Sequence, residues 1–218
     1  MLFRLSKMAA VTLSVFLITA CDDVNSSALN YPTEVDINKL HQELLTLDSH
    51  VDIAPDYTNK NIFDPGKQTQ MQVDLAKMQE GGLDSAFFIV YVPQTARTEE
   101  NYQQAQLQAM QKFVAIHRMT KELYPDHIGL AYTVDDIARI HGDGKKVAMI
   151  GIENGYVIGK ELYLIEKYHK FGARYMTLAH NGHNDICDSA KPIKKLGDAK
   201  EEHGGVSNFG KDVIKEMN

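Results

Sequence analysis

Apolar positions follow two different periods along the chain after Pro32. Segments with a period near 3.6 residues predict helices, and short continuous apolar runs predict strands buried on both faces. Because the two kinds of segment alternate, the pattern predicts βα units around a parallel sheet. The predicted strands are 45–53, 85–92, 128–132, 147–152 and 174–178, and the predicted helices are 34–44, 70–80, 99–123, 161–171 and 209–217, with a short helix opening at 133.

The first predicted strand carries three ionisable residues at alternate positions. Period-two alternation would place Asp48, His50 and Asp52 on one face and the apolar residues of the strand on the other. Buried ionisable groups are costly unless they are hydrogen-bonded, ion-paired or bound to a metal. An imidazole and a carboxylate two residues apart can reach one cation of the zinc or manganese type. A solvated strand end would also explain this triplet when it is considered alone.

Two later strand ends carry polar residues as well. Glu153 follows the fourth predicted strand between glycines, and His180 with Asn181 follows the fifth. In a (β/α)8 barrel the carboxyl ends of the strands meet at one mouth, where the active sites of that fold lie. One imidazole and two carboxylates suit a divalent cation, and a carboxylate can bridge two. The sequence therefore predicts a metal site built from His50, Asp52 and Glu153.

Composition narrows the class of protein without identifying a function. The chain has 218 residues, of which 44% are hydrophobic and 24% charged, as is usual for a soluble globular protein with one sizeable core. The net charge is -6 and no basic run occurs, so we expect no nucleic-acid partner. The polar segment 180–206, rich in Gly, Asn, Asp and Lys, is a loop of a length that is usually functional or disordered.

Residues 1–21 have the pattern of a signal peptide. Arg4 and Lys7 form a basic start, and residues 8–20 form an apolar run too short for an ordinary membrane span. The run ends in Ile-Thr-Ala-Cys, which resembles a bacterial lipobox, so we expect lipidation at Cys21. A plain secretory signal with an incidental cysteine is the alternative.

Residues 22–33 are polar and would form a tether between the anchor and the domain. Asp22 and Asp23 resemble the signal that retains lipoproteins in the inner membrane. We therefore expect a lipid-anchored protein of the bacterial cell envelope, facing the periplasm. If Cys21 is lipidated, Cys187 is the only remaining thiol, which excludes an intramolecular disulfide.

Four ordered motifs resemble the membrane dipeptidases, also called renal dipeptidases. They are Asp-Ser-His-Val-Asp at 48–52, Gly-Ile-Glu-Asn-Gly at 151–155, Tyr-Met-Thr-Leu-Ala-His-Asn at 175–181 and Gly-Gly-Val-Ser-Asn-Phe-Gly at 204–210. The resemblance runs from about Leu40 to the last residue. It implies an α/β fold of the TIM-like (β/α)8 barrel type, dipeptide substrates and two zinc ions per complete site.

The resemblance also implies roles for individual residues. His50 and Asp52 would bind one metal, and Glu153 would bridge both metals as the catalytic carboxylate. His180 would contact the substrate near the scissile carbonyl, where a histidine donor can stabilise the tetrahedral intermediate. Asp188 matches a loop acidic residue of less certain role. Family members often pair, so a homodimer is possible.

Members of that family continue for well over a hundred further residues, through two more histidine ligands and through an arginine and an aspartate that hold the dipeptide. We therefore expect residues 34–218 to be a barrel truncated to about five βα units, whose second metal site lacks its histidine ligands. We expect little dipeptidase activity and poor stability from this chain alone. Two alternatives remain, another amidohydrolase-like metal hydrolase and a non-catalytic envelope lipoprotein that retains the half-barrel.

Overall fold

A computed structural model of the protein describes residues 36–61 and 63–218. The chain divides into two compact units, Met1–Leu40 and His41–Asn218. Of the first unit, only the start of helix α1 (Ile37–Glu43) is described. The predicted signal peptide, the tether and the lipidation site at Cys21 lie outside the described residues.

The second unit alternates strands and helices, as the hydrophobic pattern predicts. After α1 the elements are β1 (Leu47–Asp52), α2 (Leu75–Glu80), β2 (Ser85–Tyr91), α3 (Glu99–Arg118) with a π-helical continuation (Met119–Leu123), β3 (Ile128–Leu130), α4 (Val134–Gly142), β4 (Lys146–Glu153), a 3-10 turn (Gly155–Ile158), α5 (Tyr163–Lys170), β5 (Ala173–Met176), a 3-10 turn (Lys194–Leu196) and α6 (Asn208–Met217). Every strand pair in the sheet is parallel. The α/β class predicted from the sequence is confirmed.

The order of the strands in the sheet differs from their order in the chain. β2 pairs with β4 along its whole length, from Ser85 opposite Val147 to Tyr91 opposite Glu153. β3 and β5 therefore share the other edge of β4, β3 at its start and β5 at its end. Among the described residues, β1 pairs with β2 alone and β5 pairs with β4 alone.

The main core lies between the sheet and helix α3. Alternate residues on one face of β2 and β4 are buried, and the apolar stripe of α3 belongs to the same cluster. Its members include Ala86, Phe88, Val90, Ala148, Ile150 and Ile152 in the strands and Ala105, Ala109, Phe113 and Ile116 in the helix. Each large apolar side chain buried in this way contributes about 1.5–3 kcal/mol. A smaller cluster contains Val147 and Met149, which alternate with the first set along β4.

Strand β1 departs from the predicted alternation. Asp48 is opposite Ala86 and Asp52 is opposite Ile89, and these partners are three residues apart in β2. Asp48 and Asp52 therefore project from opposite faces, and the expectation that Asp48, His50 and Asp52 share one face is wrong. The cause is an extra residue in β1 after Asp48, where the Asp48 carboxylate accepts a hydrogen bond of 2.9 Å from the His50 N–H.

Capping side chains explain where the helices begin. The predicted helix 70–80 begins only at Leu75 because the Asp74 carboxylate accepts hydrogen bonds from the Lys77 and Thr69 N–H groups. Thr133 and Ser207 cap α4 and α6, with a complete capping box at Thr133 and a hydrogen bond of 2.8 Å from the Gly210 N–H to Ser207 Oγ.

Candidate metal centre

The carboxyl ends of β1, β4 and β5 bring the predicted site residues together. His50 Nε2 lies 3.7 Å from Asp52 Oδ1 and 3.4 Å from Glu153 Oε2. His180 follows β5, and its Nε2 lies 3.5 Å from Glu153 Oε1. The two oxygens of Glu153 thus face two different imidazoles.

The set formed by His50, Asp52 and Glu153 fits a divalent cation. One ligand atom from each residue lies within 4.8 Å of the others. Ligands that bind zinc tetrahedrally at about 2.0–2.2 Å are separated by roughly 3.4 Å, close to the two measured distances. An imidazole with two carboxylates is also a donor set that zinc accepts. Among residues 36–61 and 63–218, this is the one group of His, Cys, Asp or Glu that meets these criteria.

The backbone after Glu153 is held in an unusual conformation. Asn154 has a φ of 78°, and its side chain is fully buried. Its amide donates to the Val92 carbonyl, and its amide oxygen accepts from Tyr156 N and from the Asn184 side chain. Asparagine tolerates the left-handed region better than most residues. The network fixes the turn directly after Glu153 and therefore limits where the carboxylate can point.

Tyr175 supports His50 from across the sheet. Its hydroxyl donates to the Ser49 carbonyl at 3.0 Å and lies 3.4 Å from His50 Nδ1, on the side opposite the carboxylates. The ring passes over Gly151, where a Cβ would overlap it. Burial, with the nearby carboxylates of Glu153 and Asp52, raises the pKa of Tyr175 to about 12, so the phenol keeps its proton at neutral pH. Metal-binding histidines commonly have such a partner on the second ring nitrogen.

A second tyrosine contacts His180. Tyr91 ends β2, and its hydroxyl lies 3.4 Å from His180 Nδ1, with the two rings edge to face at 5.0 Å. Above the Tyr91 ring, Lys112 Nζ lies 5.7 Å from the centroid, although Lys112 is only 6% exposed. Burial lowers the pKa of Lys112, and the carboxylates of Asp52 and Glu153 oppose that shift.

The segment 180–206 is ordered by hydrogen bonds between side chains and backbone. The Asp188 carboxylate accepts from the N–H groups of Glu202, His203 and Gly205. The His183 ring is buried and accepts from the Ser189 N–H at 2.9 Å. The Ser189 hydroxyl in turn donates to the His180 carbonyl. The loop therefore holds the backbone at His180 in place.

The sequence identified the ionisable members of this site and missed their neighbours. His50, Asp52, Glu153 and His180 lie together, and their roles as ligands or substrate contacts remain predictions. Lys112 could have been noticed, because it interrupts the apolar stripe of α3 between Ala109 and Ile116. Tyr175 and Asn154 lie within the motifs at 175–181 and 151–155, but the sequence assigns them no role, since their contribution depends on the turn after Glu153 and on contacts across the sheet.

Comparison with known proteins identifies the family. The family model described as membrane dipeptidase (peptidase family M19) matches residues 34–218. The dipeptidase tcpJ of Claviceps purpurea (strain 20.1) is 30% identical over 167 residues, which cover 75% of this chain and 38% of the relative. The dipeptidase ataJ of Aspergillus terreus (strain NIH 2624 / FGSC A1156) is 34% identical over 141 residues, which cover 63% and 34%. The matched regions span little more than a third of these relatives.

Solved structures share the fold. The probable dipeptidase PvdM from Pseudomonas aeruginosa superposes with a TM-score of 0.76 and 25% identity, over 82% of this chain and 45% of that protein. A metallo peptidase from Rhodobacter sphaeroides, solved with a phosphinate mimic of the dipeptide L-Ala-D-Ala, gives a TM-score of 0.63 and 19% identity, over 79% and 55%. The predicted TIM-like barrel architecture is confirmed, with this chain matching part of it.

Proposed function

Because the chain belongs to the membrane dipeptidase family (peptidase family M19), we propose that this protein takes part in zinc-dependent hydrolysis of dipeptides, with His50, Asp52 and Glu153 as metal ligands. The observation that carries the proposal is the convergence of these three side chains at one end of the sheet, with ligand atoms within 4.8 Å of one another. The distances between these ligand atoms suit zinc. Glu153 and His50 lie far apart in the sequence, so only the fold brings them together.

The chain's own residues have separable tasks in this proposal. Glu153 would serve as the carboxylate shared by two metal ions, as the family resemblance implies, and its two oxygens face His50 and His180 separately. When bound, divalent cations supply Lewis-acid chemistry, lowering the pKa of a water molecule and polarising the scissile carbonyl. His180 lies beyond Glu153 and would donate from Nε2 to the developing oxyanion.

A cleft beside His180 is large enough for a small substrate. Its volume is about 530 Å³, within the usual range for ligand sites. It is lined by residues 178–181 and 187–191. A dipeptide lying there would contact His180.

The test combines zinc binding with hydrolysis of Gly-X dipeptides by the full chain. We expect zinc-dependent turnover that a chelator abolishes, at less than about 1 per second, below the typical range of enzymes. Glu153→Gln keeps the shape of the side chain and removes its charge. It should weaken zinc binding by at least about tenfold, since loss of even an outer partner of a ligand costs 10–100-fold.

The matched control is Glu166→Gln, which removes an exposed carboxylate paired with Lys170 on α5. It should leave zinc binding unchanged. Wild-type zinc affinity in Glu153→Gln would contradict the ligand assignment. Zinc binding without any zinc-dependent hydrolysis would favour the non-catalytic envelope lipoprotein.

We also propose that Cys21 is lipidated and holds the protein at the inner membrane, facing the periplasm. The support is the lipobox-like sequence that ends at Cys21. No helix in the described ranges 36–61 and 63–218 is long and apolar enough to cross a bilayer. Cys21→Ser should release the protein from the membrane fraction and remove the acyl label. Unchanged fractionation of the variant, with no acyl label on the wild type, would refute the assignment.

A further inference from the structure

The orientation of His180 depends on a side chain that lies outside the predicted ligand set. Nε2 of His180 lies 3.5 Å from Glu153 Oε1. On the other side of the ring, Nδ1 lies 3.4 Å from the Tyr91 hydroxyl. The distance is long for a hydrogen bond, and such contacts often tighten only when substrate is bound.

The direction of this hydrogen bond determines which nitrogen of a neutral His180 carries the proton. The contact between the Tyr91 hydroxyl and Nδ1 fits either tautomer, but the Glu153 carboxylate beside Nε2 can only accept, so a neutral His180 that bonds Glu153 must accept the Tyr91 proton at Nδ1. A neutral imidazole that accepts at Nδ1 carries its proton at Nε2. The Nε2–H group then points toward Glu153 and toward the position that a substrate oxyanion would occupy.

Lys112 accounts for the fixed position of the Tyr91 ring. Lys112 is 6% exposed, and the nearby carboxylates of Asp52 and Glu153 favour its charged form. Its ammonium group lies 5.7 Å from the centroid of the Tyr91 ring, within the range of a cation–π interaction. Such contacts are stronger at buried positions than at exposed ones.

We propose that Tyr91 is a positioning residue that holds His180 in the tautomer with Nε2 protonated, and that Lys112 fixes Tyr91 through its ring. The catalytic meaning of this arrangement rests on the proposed function, whereas the tautomer itself does not. Tyr91 lies opposite Glu153 in the sheet but is not itself one of the proposed ligands. Its hydroxyl contacts His180, so its effect should fall on the oxyanion donor more than on zinc binding.

The experiment uses the full chain labelled with ¹⁵N-histidine, without metal, at a pH where histidine is neutral. Long-range proton–nitrogen spectra distinguish the two tautomers, and His180→Asn identifies the signals of His180. We expect wild-type His180 to be protonated at Nε2. Tyr91→Phe should produce a mixture of the two His180 tautomers. Lys112→Met should shift the His180 signals in the same direction. Lys112→Arg should leave the His180 signals as in the wild type, since arginine also stacks on aromatic rings. Tyr163→Phe, at a tyrosine that is 61% exposed, is the control and should change nothing.

Kinetics and zinc titration give a second, independent measurement. Tyr91→Phe should lower kcat by at least about tenfold with little change in KM, because a misaligned oxyanion donor costs transition-state stabilisation. Zinc affinity should remain within about twofold of wild type, since Tyr91 lies outside the ligand set.

A protonated Nδ1 in the wild type, or no response of His180 to Tyr91→Phe in a folded protein, would overturn the proposal. If Tyr91→Phe does not fold, the wild-type tautomer alone decides. Failure of hydrolysis with the expected tautomer would count against the proposed function and not against this inference.

Discussion

Asp188 is a carboxylate surrounded by backbone donors. Burial raises the pKa of this group, but hydrogen bonds from Gly205, Glu202 and His203 outweigh that effect and hold the pKa at about 2. The ordinary value for aspartate is about 3.9, so the folded state binds this proton less readily than the unfolded state. The stabilisation is therefore fully present above about pH 4 and is lost as the pH falls toward 2.

Asp188→Asn should accordingly lower the thermal unfolding temperature at neutral pH, and the difference from wild type should shrink to nothing near pH 2. The measurement is a series of thermal melts between pH 2 and pH 7. Asp212→Asn removes an exposed carboxylate of α6 and should have little effect at any pH. A difference that stays constant across the series would show that the Asp188 charge is not what stabilises the loop.

At the residue scale, the sequence predicts which side chains form the candidate site better than it predicts how those side chains are oriented. His50, Asp52 and Glu153 could be predicted because ionisable groups at strand ends are uncommon and the barrel brings such ends together. Tyr91 and Lys112 were missed because their contribution lies in contacts across elements, between β2, α3 and the segment after β5. A prediction from local sequence patterns gives no distances between residues on these different elements.

At the element scale, periodicity predicted where helices and strands occur, and local hydrogen bonds set their limits. The long helix 99–123 was predicted closely because its apolar residues recur with the helical period along its length. The alternation in β1 failed because a register shift depends on the partner strand, which period-two reasoning cannot include. The same holds for β3, whose pairing with the start of β4 follows from the packing of the sheet and not from its own sequence.

Helix α6 packs so closely on the preceding loop that its glycine has no room for a side chain. A Cβ on Gly210 would overlap the Ile186 carbonyl oxygen, which is backbone and cannot rotate away. Gly210→Ala should therefore destabilise the protein by about 1–3 kcal/mol or more, as overpacking does in other cores. Chemical denaturation measures the free energy of unfolding, and unchanged stability would show that α6 can move away from the loop at little cost.

Gly142→Ala provides the matched control for this prediction. Gly142 ends helix α4, and a Cβ there would contact nothing within 4 Å. Alanine is the better helix former by about 1 kcal/mol in a helix interior, so this substitution should be neutral or slightly stabilising. The contrast between the two glycines separates a steric effect from a general effect of losing glycine.

At the scale of the whole molecule, the sheet of the described residues is open at β1 on one side, and on the other side β3 and β5 each pair with β4 alone. The sequence predicted the parallel sheet and its class because alternating periods are a strong signal. It did not predict that β3 and β5 would share one side of β4. The expected low activity and poor stability of this chain stay predictions, as does a homodimer.

The β1 edge combines unpaired backbone with exposed apolar side chains. Leu44, Leu45 and Leu47 are 53%, 49% and 55% exposed, and they lie on or directly before this strand. An edge of this kind pairs readily with another chain, and natural proteins often protect such edges with lysine. We therefore expect the isolated chain to self-associate as its concentration rises.

Leu47→Lys should reduce this association, because a charge on the edge strand opposes pairing without removing any core contact. Light scattering after size-exclusion chromatography, in a Cys21→Ser background that lacks the proposed lipid, would measure the mass at increasing concentration. Leu107→Lys is the control, since Leu107 is 58% exposed on α3, away from the edge. Equal effects of the two substitutions would mean that association follows overall apolar exposure. A selective effect of Leu47→Lys would identify the open edge of β1 as the surface through which copies of the chain pair.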